Sequence, residues 1–296
     1  MELLVRDFQK RFHASPQVVT RAPGRLEILG NHTDYNEGVT LSCAINLATY
    51  VAIRKNGSMM MRLADVKLPN ELHEIPLDPL PPPTPGDWTN YIRGVVQALQ
   101  KRNYRLEGFD LLLVSELPLS SGMSSSAALE IATAYAIGDL FRIQLPPKEW
   151  AKIGQEAENL YVGAKTGLLD QFSSIFGKEN SLVFCDFRSL EVETCPVPIG
   201  TKLIIAHSGV KHNLTMEYNE RRSRCEEAAR TIGVRALRDV SLEILNQWKN
   251  RLHPVTYRRA LHVVGENERV FQAMEVLKKN DLQAFGLLLL ASHQSS

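Results

Sequence analysis

Pro118-Leu119-Ser120-Ser121-Gly122-Met123-Ser124-Ser125-Ser126-Ala127-Ala128 lies between an apolar stretch, Phe109 to Ser115, and a helical pattern running from about Ser126 to Arg142. The order is strand, small-residue turn, helix. Small residues let a backbone approach a ligand closely, and a helix start presents unpaired N–H groups at the positive end of its dipole, so such a turn is an anion site. Serine hydroxyls add donors, and one of them can ligate Mg²⁺. The spacing is neither GxxxxGKS/T nor GxGxxG, which sets aside the P-loop and the dinucleotide-binding readings. A serine-capped helix is the plainer alternative, but three successive serines after Gly122 exceed what a cap uses.

Outward from this turn, strands are expected at Val18 to Arg21, Val39 to Ile45, Tyr50 to Arg54, Met59 to Leu63, Phe109 to Ser115, Ser181 to Asp186 and Lys202 to His207. Most are rich in β-branched or aromatic residues. Helical periods run from Ser126 to Arg142, Lys148 to Tyr161, Leu214 to Ile232 and Tyr257 to Lys279. In the second, Trp150, Ile153, Ala157, Leu160 and Tyr161 form one stripe, and Pro146-Pro147 separates it from the helix before. Strands and helices mix without strict alternation, which argues for α+β layers. Six prolines between Ile75 and Asp87 mark an extended surface loop.

The 296 residues, 44% of them hydrophobic, suffice for two domains or one large one. A formal net charge of +1 supplies no field for nucleic acid or an anionic membrane, so any phosphate must be bound by a local site. No apolar run is long enough to span a bilayer, and the N-terminus has no signal-peptide pattern. The four cysteines (Cys43, Cys185, Cys195, Cys225) lack metal or disulfide spacing, which points to reduced thiols in a cytoplasmic protein.

Two other segments carry chemistry. Residues 22–38 crowd Arg25, Glu27, Asn31, His32, Asp34 and Asn36 into a turn punctuated by Gly24, Gly30 and Gly38. Such a loop can present many donors and acceptors to one hydroxylated ligand, or it can be a surface loop of turn formers. Glu158 and Asp170 form an acidic pair twelve residues apart. Asp170 sits among Leu168, Leu169 and Phe172, where a carboxylate is costly unless paired, and Arg25 is a candidate partner. Plain readings remain a solvated helix glutamate and a structural salt bridge.

These segments carry a family resemblance. The serine-rich turn resembles the second motif of the GHMP kinases, Pro-x-x-x-Gly-Leu-x-Ser-Ser-Ala, with Met123 in place of Leu. Residues 24–38 are very similar to the galactokinase signature Gly-Arg-x-Asn-Leu-Ile-Gly-Glu-His-Thr-Asp-Tyr-Asn-x-Gly. Ala157-Glu158 followed by Gly167-Leu168-Leu169-Asp170-Gln171 resembles the galactokinase Ala-Glu…Gly-Ile-Met-Asp-Gln at the same spacing. Trp88 to Gly94, Ser208 to Glu226 and the segments around Arg259, His262, Glu266 to Arg269 and Ser292-His293 match further stretches in the family's order.

The resemblance implies a two-domain GHMP kinase fold, with an N-terminal domain like the second domain of ribosomal protein S5 (residues 1–200) and a ferredoxin-like C-terminal domain (201–296). It implies a galactokinase, passing the γ-phosphate of ATP to the C1 hydroxyl of α-D-galactose, with ATP and Mg²⁺ required. By resemblance Asp170 is the catalytic base and Arg25 its partner. Asn31, His32, Asp34, Gly167 and Tyr218 meet the sugar. Ser120, Ser121, Gly122, Met123, Ser124, Ser125 and Ser126 wrap the ATP phosphates, and Ser126 and Glu158 hold the magnesium. The chain is expected to act as a monomer on small molecules alone, with no nucleic acid and no membrane. Two departures stand out. Glu27 replaces the family's Asn, and Asn31 replaces a sugar-contacting Glu, which removes a charge there. The family's third, glycine-rich motif falls beyond Ser296, so the C-terminal domain is expected to be incomplete. Two alternatives follow: an anomeric kinase for another sugar (an N-acetylhexosamine, arabinose or a uronic acid), and a galactose and ATP sensor without turnover.

Overall fold

Leu4, Phe8 and Phe12 recur every four residues, and the first helix, α1 (Glu2–Phe12), buries that stripe against Ala52, Ala64 and Leu112. The computed structural model describes residues 1–118, 121–206 and 215–296. After α1 come β1 (Val18–Leu29), β2 (Val39–Lys55), β3 (Met60–Asp65), β4 (His73–Pro76), α2 (Thr89–Lys101), β5 (Phe109–Ser115), α3 (Ser125–Phe141) and α4 (Pro147–Glu156), which runs into a π-helical turn, Ala157–Val162. Then follow α5 (Leu169–Phe176), β6 (Ser181–Asp186), β7 (Glu191–Pro196), α6 (Thr215–Ile232), α7 (Leu242–Gln247), α8 (Pro254–Lys278) and α9 (Leu282–Ser295).

The chain forms two compact units, Met1–Gly24 with Ile45–Ala164 and Arg25–Ala44 with Lys165–Ser296. This is not a single division near Gly200: the stretch 25–44 leaves the N-terminal part and folds with the C-terminal one. In the first unit the strand order is β4-β3-β5-β2. β3 runs parallel to β5 (Leu63 opposite Leu111), and the other two pairings are antiparallel. A mixed sheet of this kind is what the α+β reading called for. Helix α3 is apolar nearly all round (Ala127, Ala128, Ile131, Ala132, Ala134, Ala136 and Ile137 are buried), so it lies inside its unit, with α2 and α4 packed against it. Pro147 stands in the first turn of α4, where its missing N–H costs nothing.

In the second unit, residues 39–42 of β2 pair with β6, and β6 pairs with β7. Leu29, Val39, Leu41, Leu182, Val270, Ala273, Leu277 and Phe285 close a core between these strands and α8 and α9. A second cluster, Cys225, Ala228, Leu237, Leu245, Ala260, Val263 and Val264, joins α6, α7 and α8.

Several elements differ from the sequence expectation. One long strand, β2, replaces the two expected at Val39 to Ile45 and Tyr50 to Arg54: Asn46 is exposed inside it, and its carbonyl accepts a hydrogen bond from Arg21 at 2.9 Å. The helix expected through Tyr161 widens into the π-helical turn at Ala157. Residues 202–206 form no strand, and His207 lies outside the described residues, as does the rest of segment 207–214. The proline-rich loop is pinned rather than free: the Pro82 carbonyl accepts from Arg93 at 3.1 Å, and the Pro81 carbonyl accepts from the Tyr161 hydroxyl.

Phe172 is fully buried on α5, with Phe176 and Phe187 ring centroids at 5.3 and 5.7 Å. Phe172→Ala is expected to cost about 3–5 kcal/mol. Urea unfolding checks it, with a lower midpoint at unchanged slope.

Candidate active site

The turn after β5 is held from below. Leu117 and Met123 tuck against Ala128, and Gly24 lies so close that a Cβ there would come within 2.6 Å of the Met123 carbonyl oxygen. Only glycine fits. Met123 is therefore a peg into the core, and its backbone is what the turn can offer a ligand. The Ser121 hydroxyl folds back to the Pro118 carbonyl at 2.8 Å. Ser120 lies outside the described residues. Gly122 is exposed, and both Gly122 (φ 72°) and Ser124 (φ 54°) take left-handed backbone, which is uncommon for serine.

Ser124 occupies the N-cap position of α3, yet its side chain makes no capping bond. Its Oγ is shielded from solvent and has no partner among the described residues. A serine placed only to cap the helix would bond a free N–H; this one does not, so the plain alternative fails at Ser124. Two residues on, Ser126 Oγ donates to Glu158 Oε1 at 3.1 Å. Glu158 is buried on the π-helical turn, a feature frequent at functional sites. The Tyr91 phenol is pushed above its ordinary range by burial and then by Glu158 and Glu130, which marks this wall as negative. An alcohol oxygen and a carboxylate oxygen together suit a hard cation.

The second unit holds the other cluster. On β1, Arg25 and Glu27 are two residues apart and therefore share a face. The Arg25 guanidinium meets Asp170 Oδ1 twice, from Nε at 2.9 Å and from Nη2 at 2.7 Å. Asp170 stands in the first turn of α5, where a helix N-terminus favours a negative charge. Arg25 is buried, and although burial works against its charge, Asp170, Glu27 and Tyr218 outweigh it and raise its pKa.

The turn between β1 and β2 brings in Asp34. Gly167 lies against this carboxylate: a Cβ there would overlap Oδ2 at 1.9 Å. Burial pushes Asp34 up to about 6, with Asp170 adding to the shift, while backbone N–H groups of Tyr35 and Leu169 and the Arg25 charge pull the other way. Burial also pushes Glu27 up to about 7, against the pull of Arg25. His32 is lowered to about 3 by burial and by Arg221, His262 and Arg259, and so is neutral. Its ring lies 5.3 Å from that of Tyr218. Thus Arg25, Asn31, His32, Asp34, Gly167, Asp170 and Tyr218 all fall in one unit, around one arginine.

Sequence reading assigned no role to Glu27 or Glu266. Asn31 Nδ2 donates to Glu27 Oε2 at 2.7 Å, so the amide at position 31 is bonded to a carboxylate at position 27. Glu266, fully buried on α8, accepts from the Gly30 and Asn31 backbone at 2.7 and 3.2 Å and from Arg269 at 2.5 Å. His262 Nε2 meets the Asn31 carbonyl at 3.2 Å, and Asn267 Oδ1 accepts from Val39 N at 3.0 Å. One helix thus clamps both ends of the turn. Its period in the sequence marks a helix, but nothing local marks those side chains as a clamp.

Glu266→Ala would orphan two backbone N–H groups and leave the Arg269 guanidinium without its carboxylate. A loss of about 3–5 kcal/mol is expected in chemical denaturation.

Comparison with known proteins places the chain in a family. Residues 90–178 match the GHMP kinases N terminal domain, and residues 6–55 match the galactokinase galactose-binding signature. A galactokinase of Glaesserella parasuis serovar 5 is 42% identical over 300 residues, covering 100% of this chain and 78% of the relative. One from Haemophilus influenzae (strain PittEE) is 44% identical over 298 residues, covering 97% and 76%. Among solved structures, Lactococcus lactis galactokinase complexed with galactose matches with a TM-score of 0.89 at 29% identity, over 99% of this chain and 78% of that one. Methanococcus jannaschii mevalonate kinase shares the fold, with a TM-score of 0.59 at 17% identity over 94% and 78%. The chain belongs to the galactokinase family of the GHMP kinases, ATP-dependent sugar kinases.

Proposed function

We propose that the chain phosphorylates the anomeric hydroxyl of α-D-galactose, with Asp170 as the base. The observation that carries this reading is the Arg25–Asp170 pair set among Glu27, Asn31, His32, Asp34 and Tyr218, a constellation of acceptors and donors suited to a polyhydroxylated ligand. Asp170 accepts the proton of the C1 hydroxyl, the oxygen attacks the γ-phosphorus of ATP, and ADP leaves. Arg25 fixes the carboxylate's position and stabilises charge that develops beside it. Asp34 accepts from sugar hydroxyls, neutral His32 can donate or accept according to its tautomer, and Tyr218 supplies an aromatic wall.

The triphosphate is held by the α3 N-terminus and the backbone of 121–126, where the unpartnered Ser124 hydroxyl offers a further donor. Ser126 and Glu158 fit magnesium: two oxygens 3.1 Å apart, with no cluster of three or more His, Cys, Asp or Glu among the described residues, match a cation that takes few protein ligands and relies on phosphate and water for the rest. Bound there, magnesium supplies neutralisation of charge on the transferring phosphoryl group. No helix among the described residues is long and apolar enough to cross a membrane. Its four cysteines are buried thiols, which suits the reducing cytoplasm, where we place it.

ADP release with Mg-ATP and galactose tests the reading. Wild-type protein is expected to turn over, and Asp170→Asn to lose about 10³-fold or more of kcat. No turnover of galactose by the wild type would reject it.

A further inference from the structure

We propose that Glu27 is the carboxylate that sets sugar specificity, held by Asn31 so that it accepts hydrogen bonds from neighbouring hydroxyls of a neutral sugar. This rests on the function proposed above, since it needs a sugar in this unit.

Glu27 has no structural task that explains it. The turn that follows is already locked: Thr33 Oγ1 lies 2.8 and 2.6 Å from the Gly30 and Val39 carbonyls, with its one proton to donate between them, and Glu266 takes the Gly30 and Asn31 N–H groups. The bond from Asn31 to Glu27 therefore does not hold the turn; it orients the carboxylate. Through that bond one oxygen, Oε2, is engaged, while Oε1 takes no hydrogen bond among the described residues and the side chain stays half-buried. A carboxylate with a free acceptor, on the strand face that carries Arg25, is placed to receive a ligand donor.

Its setting is costly without one. Facing Glu27 are Arg25 on β1, Asp34 in the turn, Asp170 on α5 and Tyr218 on α6. Among the described residues, Arg25 is the cation that acts on Glu27, and it also holds Asp170. A hydroxyl donated to Glu27 stabilises its charged form and offsets part of that cost. The same crowding works against an anionic sugar, because a uronate carboxylate would meet Glu27, Asp34 and Asp170. Among the sugars that the motif alone leaves open, the geometry points to neutral ones.

The amide and the carboxylate of this pair stand in the reverse order from the motif that the segment resembles, and they are bonded to each other. The two departures are then one exchange. The carboxylate moves and its charge stays, bonded here to the amide.

Calorimetric titration of galactose into the full chain reads Glu27 whether or not the protein turns over, and ADP release is measured in parallel. Glu27→Gln is expected to weaken galactose binding about tenfold or more, the loss of one charge-assisted bond, with the KM for ATP unchanged. Wild-type affinity should rise as pH rises through about 7, the value to which Glu27 is pushed, and Glu27→Gln should keep only the smaller rise near 6 that belongs to Asp34. Because the charged form is the costly one, Glu27→Gln should melt no lower than wild type at pH 8; a structural role predicts a lower melting point instead. Glu27→Asn with Asn31→Glu should recover binding that Glu27→Asn alone loses. Glucuronate and galacturonate should not bind. Unchanged galactose affinity and an unchanged pH profile in Glu27→Gln would overturn the proposal. Binding lost in Glu27→Gln, in a wild type that binds galactose but releases no ADP, would keep the proposal and reject the kinase.

Discussion

One guanidinium, that of Arg25, faces the carboxylates of Asp170, Glu27 and Asp34, and the second unit is arranged around that imbalance. Three acids drawn together out of water repel one another, so the chain must hold them there by other means. β1 places Arg25 and Glu27 on one face, α5 offers Asp170 the positive end of its dipole, and backbone N–H groups of Tyr35 and Leu169 support Asp34. Buried Glu266 then fastens the turn between the strands to α8. The cost remains visible in the raised Glu27 and Asp34. A carboxyl whose folded pKa is raised stabilises the fold below its unfolded value and loses that contribution as pH rises through the folded one. The unliganded protein therefore gives up stability between about pH 4 and 7 to keep a charged recess ready for hydroxyl donors.

On the function proposed above, the first unit meets a different demand, holding a polyanion with a chain whose net charge is only +1. The answer is local. Helix α3 is buried nearly all round, which fixes its N-terminus in place, and Gly24 and Met123 set the preceding turn against the core. Left-handed Ser124 keeps its hydroxyl out of the capping bond. The dipole, the freed N–H groups and that hydroxyl provide the binding that bulk charge does not.

Much of this was legible in the residues. The order of apolar strand, serine turn and alanine-rich helix is the one the structure shows, because each part has its own period and its own turn chemistry. Arg25, Asp34 and Asp170 could be named because polar residues in a glycine-punctuated turn, or among Leu168, Leu169 and Phe172, ask for an explanation. What escaped depended on partners remote in sequence. Glu266 looks like any helix glutamate until its hydrogen bonds to Gly30 and Asn31 are seen. Glu27 and Asn31 read as two separate departures because no pattern in one sequence shows that four-residue neighbours across a strand end are bonded. β4 and β7 are short; β4 ends on a proline, and the alternation of Glu191, Val192, Glu193 and Thr194 in β7 resembles a polar loop. The π-helical turn that carries Glu158 interrupts a stripe whose spacing fits an unbroken helix.

Carbon-13 NMR titration of side-chain carboxyl groups in the unliganded protein, assigned with Glu27→Gln and Asp34→Asn, tests the imbalance directly. Two carboxyls titrating near 7 and near 6 are predicted, Glu27 the higher. Both titrating near 4, as carboxyls in water do, would contradict the claim that Arg25 is shared among three crowded, half-buried acids.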